Sequence, residues 1–167
     1  MTLHPPGAIV LCVVPGWEGA LVDFLLILNE EYGHYNHCGV VDSTGDGMIE
    51  ERPGGARRTA FVDIPYQYIV FAPTYPYEGM AIAKTAESLI GTPYSFLDYV
   101  SMALLRLHIR PQFIVDAVAS TKHWTCSGFV DYCWSQHGKL FTDGRYIGDV
   151  TPGGLWSLIH QQNWKEV

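Results

Sequence analysis

Apolar residues fill positions 8–14 without a polar break, and Pro-Gly pairs bound the run on both sides. A short continuous apolar run between turn residues predicts a buried strand. Over 17–32 the period changes: Leu21, Phe24, Leu25 and Leu28 recur at helical spacing with acidic residues between them, which predicts the first helix. Residues 37–42 and 47–52 flank the polar tetrapeptide Ser43-Thr44-Gly45-Asp46, a hairpin signal. Further strands are predicted near 58–64 and 67–72. Residues 78–90 read as a helix stopped by Gly91, since glycine ends a helix in the left-handed cap with least strain.

The second half is helical in pattern. Positions 94–119 are strongly apolar and interrupted by Pro111, which predicts two helices. Thr125 opens another helix running to about His137 and ended by Gly138. The last starts near Pro152, with Thr151 as its cap. The expected class is α+β, a small antiparallel sheet packed against helices. A length of 167 residues suits a single domain spanning 1–167.

Composition narrows the picture. A hydrophobic fraction of 48% beside 16% charged residues argues for a packed globule and against disorder. A formal charge of -7 removes the attraction to phosphates that drives nucleic-acid binding, so no nucleic-acid partner is expected. No basic residue precedes the apolar run 8–14, so the start lacks the layout of a secretory signal. No stretch approaches a membrane span, because Asp23, Asn29, Glu30 and Glu31 break the best one. A soluble protein is expected, cytoplasmic or phage-encoded.

Four cysteines, at 12, 38, 126 and 133, are too few for a disulfide framework. Cys12 and Cys133 read as small core residues, and Cys38, next to His37 on a strand, should point to the opposite face. Cys126 differs because it stands where a helix begins. Unpaired first-turn amides and the positive end of the helix dipole both favour a thiolate there. A base is available in Asn36-His37-Cys38-Gly39, where Gly39 is expected to leave room for a substrate beside the imidazole. If Ser43–Asp46 form the turn, Gly39 pairs with Glu50, so His37 and Glu50 share a face and the carboxylate can orient the ring. A turn one residue longer or shorter selects Glu51 instead.

Three of these motifs together resemble the NlpC-type papain-fold cysteine peptidases: Cys126-Ser127-Gly128-Phe129-Val130, Gly91-Thr92-Pro93-Tyr94, and the hairpin from His37 through Ile49-Glu50. The usual members place the Tyr and Cys motifs before the His hairpin, so the order here is circularly permuted. That arrangement resembles the YiiX-like proteins and, more distantly, the lecithin:retinol acyltransferases. The resemblance implies Cys126 as nucleophile, His37 as base, Glu50 in the third polar position and Tyr94 beside the substrate carbonyl. It implies a peptidase or amidase without cofactor, acting on a peptide or amide such as a peptidoglycan stem peptide. Glu50 replaces a second histidine found in many members, and about thirty residues separate Tyr94 from Cys126, more than in cell-wall enzymes.

Other readings compete. His34, His37, His123 and Cys126 could furnish four zinc ligands, although structural zinc favours several cysteines at tight spacing. The apolar insertion 95–120 suggests a lipid- or membrane-facing cap, hence a lipid-directed thioesterase or acyltransferase, with core packing as the plainer account. A non-catalytic binding module of the same fold is the third alternative.

Overall fold

The computed structural model describes residues 3–16, 34–94, 125–138 and 150–167, together with Gly19. The helix predicted over 17–32 and the apolar insertion 95–120 lie outside the described residues. Among the described residues six strands form one sheet: β1 (Ile9–Val13), β2 (His37–Val41), β3 (Gly47–Arg52), β4 (Gly55–Ala60), β5 (Gln67–Ala72) and β6 (Lys165–Glu166). Their order is β4-β3-β2-β1-β5-β6, and every neighbouring pair is antiparallel. Three described helices accompany it: α1 (Gly79–Ser88), α2 (Cys126–Ser135) and α3 (Pro152–Gln161). The class is α+β.

The unbroken apolar run of β1 has a simple cause, which is that both faces of the sheet are covered. Ile9 and Leu11 join Cys38, Val40 and Ile49 against Ile82 of α1, Phe129 and Trp134 of α2, and Leu155 and Ile159 of α3. Ala8, Val10 and Cys12 face the other way, into a second cluster with Val41, Met48, Phe61 and Val70. A strand buried on both faces loses the alternating pattern that a half-exposed strand shows. Trp134 ties the helical layer together, stacking on Tyr77 at 5.4 Å and tilting against Trp164 at 4.8 Å between ring centroids.

The β2–β3 hairpin adopts the register expected from a turn at Ser43–Asp46, with Gly39 opposite Glu50 and the Asp42 amide donating to the Gly47 carbonyl at 3.0 Å. Asp42 makes this turn. Its Oδ1 accepts from the amides of Thr44 (3.1 Å) and Gly45 (2.8 Å), while Oδ2 accepts from Arg58 Nε at 2.6 Å. Gly45 itself sits at φ 79, in the left-handed region where glycine is unstrained.

β4 begins three residues before the start expected near 58 and ends at Ala60, and 61–63 form a 3-10 turn instead of continuing the strand. Pro53-Gly54 explains the shift. Arg52 pairs with Gly55, so the loop is only two residues long, and Gly54 takes φ 104 after the proline. That turn brings Arg57, Arg58 and Thr59 beside Glu50 and Ile49 of β3.

Candidate active site

Cys126 is the first residue of α2. Thr125 caps the helix, its Oγ1 accepting from the Gly128 amide at 3.1 Å, and Ser127 Oγ donates to the Val150 carbonyl at 2.6 Å. The helix start is therefore held from two sides, and Cys126 lies at the positive end of the dipole, where a thiolate is favoured. Cys126 is 1% exposed, so its partners matter more than solvent.

Those partners come from the start of β2. His37 hydrogen-bonds the Cys126 sulfur, and on its other side Nε2 meets Glu50 Oε2 at 2.6 Å. With Nε2 taken by Glu50, Nδ1 is the ring nitrogen available to the thiol. Glu50 is fully buried; its Oε1 accepts from Thr59 Oγ1 at 2.6 Å and has Arg57 Nε at 3.5 Å. Cys126, His37 and Glu50 thus form one hydrogen-bonded line, with the carboxylate itself held on its far side.

Electrostatics follow from that line. Burial would push the imidazole down, but hydrogen bonds to Cys126 and Glu50, with their negative charges, more than reverse this and hold it up at about 9. Burial would push Glu50 up, yet the hydrogen bond and charge of His37, helped by Thr59 and Arg52, bring it down to about 2. Near neutral pH the pair is an imidazolium on a carboxylate, poised beside sulfur.

Gly39 has a different purpose from the one expected. A Cβ there would lie 2.8 Å from the Ile49 carbonyl oxygen, 3.2 Å from Met48 Sδ and 3.4 Å from Glu50 Cβ. Its missing side chain makes room for β3 and the Glu50 stem, not for a substrate. Asn36, passed over in the sequence as a mere neighbour of His37, fastens the chain just ahead of it. Its Oδ1 accepts from the Val14 amide (2.8 Å), and its Nδ2 donates to the Val14 carbonyl (3.1 Å). Only a two-handed polar side chain at a strand entry could have signalled this role.

Glu51 points away from His37, as the register requires, but it is no solvated edge residue. It is fully buried among the helix-side contacts, with Thr92 Oγ1 donating to Oε1 at 3.0 Å and no partner for Oε2. Burial pushes its carboxyl up to about 7, against the Thr92 hydrogen bond and with help from the charge of Cys126. Cys38 also lies on that side, buried in the helix-facing core and hydrogen-bonded to Cys126. Burial pushes the thiols of Cys12 and Cys133 far up, as suits core residues.

Tyr94 is half-buried at the end of the described segment. Two hydrogen bonds moor the stretch before it to β4: the Gly91 amide to the Ala56 carbonyl and the Ala56 amide to the Thr92 carbonyl, each 2.9 Å. Beyond the end of β1, an open groove of about 440 Å³ is walled by Val13, Tyr35, Tyr66, Tyr68, Ile69 and Glu166. Tyr66, one of its walls, lies under Arg52, 5.9 Å from guanidinium to ring centroid.

Of the residues considered as zinc ligands, His34 stands in the groove against Tyr35, with ring centroids 5.3 Å apart, and His123 lies outside the described residues. Among the described residues no group of three or more His, Cys, Asp and Glu comes together to hold a metal ion. None of the described helices is long and apolar enough to cross a membrane.

No family model matches the chain, and no curated protein does either. Among solved structures it is similar to the crystal structure of metalloprotein yiiX from Escherichia coli O157:H7, with a TM-score of 0.55 and 16% sequence identity, covering 85% of this chain and 71% of that one. At that identity the likeness is one of fold: a YiiX-like arrangement of sheet and helices.

Proposed function

We propose that the protein is a cysteine hydrolase that cleaves an amide through an acyl-enzyme, with Cys126 as nucleophile, His37 as acid and base, and Glu50 orienting the imidazole. One observation carries this reading: a thiol at a helix N-terminus joined through a buried histidine to a buried carboxylate. The Cys126 thiolate attacks the carbonyl carbon, and the oxyanion forms against the first-turn amides of α2. The motif resemblance assigns Tyr94 the place beside that oxygen. His37 passes the proton on its Nδ1 to the leaving amine, which departs and leaves a thioester. Neutral His37 then takes a proton from water, whose oxygen attacks the thioester and releases the acid. Glu50 keeps Nε2 engaged throughout, so the ring stays in one orientation.

The substrate class we propose is a cell-wall-type peptide such as a peptidoglycan stem peptide. Two things support it: the motif resemblance to permuted NlpC-type peptidases, and the groove lined by three tyrosines, whose flat rings suit an extended chain. Metalloprotein is said of the YiiX neighbour; among the described residues here no group of three or more His, Cys, Asp and Glu comes together.

Acylation tests the reading without the natural substrate. Wild-type protein incubated with p-nitrophenyl acetate is expected to gain one acetyl group, mapped by mass to Cys126, and Cys126→Ala to gain none there. Acetyl on another residue, with Cys126 unmodified in folded protein, would overturn the assignment.

A further inference from the structure

The site holds one thiol for which hydrolysis has no use. Cys38 is completely buried on β2, one residue after the catalytic histidine, on the face that meets α2. α2 packs on β2 more extensively than on any other described strand, and Cys38 and Cys126 lie in one buried cluster between them. The two side chains are hydrogen-bonded to each other. No disulfide joins them. A strand position beneath a helix N-terminus takes any small apolar residue, so packing alone does not call for sulfur at 38.

We propose that Cys38 is the resolving thiol of Cys126, closing a Cys38–Cys126 disulfide when the nucleophile is oxidised by hydrogen peroxide, and thereby a reversible oxidation site that shuts off the hydrolase. The proposal rests on the reading of Cys126 as an activated nucleophile. In the first step the Cys126 thiolate attacks one oxygen of the peroxide, the O–O bond breaks, and Cys126 becomes a sulfenic acid. The departing hydroxide takes the His37 imidazolium proton and leaves as water. In the second step the Cys38 sulfur attacks the Cys126 sulfur, the S–O bond breaks, and the hydroxyl leaves with the Cys38 proton as a second water. Peroxide is the oxidant, reduced to two waters, and the two thiols are oxidised to one disulfide.

The surroundings select Cys38 for this work. Cys12 pairs across β1 with His37 but faces the second core, whereas Cys38 and Cys126 share the helix-side core. Burial and the neighbouring negative charges keep the Cys38 thiol protonated. It therefore does not compete as a nucleophile toward substrate, and it acts only once the sulfur beside it has become electrophilic.

The test uses the whole protein, a few equivalents of hydrogen peroxide and intact mass without reductant. Wild type is expected to lose about 2 Da, the two thiol hydrogens, with the bridge mapped to Cys38–Cys126; dithiothreitol then restores iodoacetamide labelling of Cys126. Cys38→Ala and Cys38→Ser, each checked for an unchanged melting curve, are expected to gain about 32 Da at Cys126 instead, with labelling lost irreversibly. If Cys126 is over-oxidised equally fast in wild type and both variants, or bridges to Cys12, the resolving role is overturned while the nucleophile stands. If peroxide leaves Cys126 untouched, both the resolving role and the proposed nucleophile fall.

Discussion

The two faces of the β2–β3 hairpin carry nearly the same chemistry and put it to opposite ends. On one face His37 and Glu50 share a 2.6 Å hydrogen bond, and each shifts the other toward its charged form. On the other, Cys38 and Glu51 lie one residue along in each strand; burial without a cation pushes both toward their neutral forms. Both carboxylates are completely buried. What separates them is the partner: an imidazole brings Glu50 down to about 2, while a neutral threonine leaves Glu51 at about 7. A buried carboxylate is stabilised as an ion by a cation at bonding distance and otherwise takes up a proton.

The sharpest break in this contrast comes from the line itself. Cys126→Ala and His37→Ala are each expected to lower acylation by about a thousandfold or more, since nucleophile and base act as a unit. Rates of thioester formation by mass, with circular dichroism to confirm folding, check this. A His37→Ala protein acylated within tenfold of wild type would remove histidine from the chemistry.

Glu50→Gln is expected to do less, about one to two orders of magnitude less damage than His37→Ala, because an orienting group serves the residues that react. It should also displace the alkaline limb of the pH profile for amide cleavage. That limb is expected near 9 in wild type, where His37 loses its proton. Removing the carboxylate disfavours the imidazolium, so the limb must move to lower pH. A limb that stays in place would dissociate Glu50 from the histidine.

Gly39→Ala strikes both faces at once. Its Cβ meets the Ile49 carbonyl at 2.8 Å, so β2 and β3 must separate, at an expected cost of about 1–3 kcal/mol in denaturant unfolding and a loosened His37–Glu50 pair. A variant as stable as wild type would show that the hairpin yields freely.

Glu51→Gln is the mildest. Acylation should change by no more than a few fold, while the pH dependence of stability should flatten. The folded carboxyl keeps its proton to about 7 against an ordinary 4.5, so stability is lost as pH rises through that window; His37, raised from 6.5 to about 9, extends the loss upward. Thermal melts of the variant should lack the lower part of the decline and keep the upper. Were Glu51→Gln the damaging change for acylation and Glu50→Gln silent, the roles given to the two faces would be exchanged.

Local chemistry was enough for much of this. The hairpin register followed from a four-residue turn and the period of two, which placed Glu50 and not Glu51 beside His37. Thr125 and Thr151 declared the starts of α2 and α3, because a cap is made by residues within one turn of each other. The α+β class followed from the same local periods. β4 and the short β6 were harder: one depends on the Pro53-Gly54 turn, and the other is a two-residue strand that exists only because β5 offers an edge to it.

What the tertiary structure alone decided was who touches Cys126. Sequence spacing is silent on the approach of α2 to β2, since Cys38 and Cys126 are 88 positions apart, and packing of the Phe129 and Trp134 face onto the sheet sets that distance. The same packing turned Gly39 from an expected substrate space into a strand contact and buried Glu51 without a cation. A residue type and its period determine which way a side chain points, because those are properties of the local backbone. Whether it meets a cation, a thiol or nothing depends on what the rest of the chain lays over it, and that is settled only when the layers close.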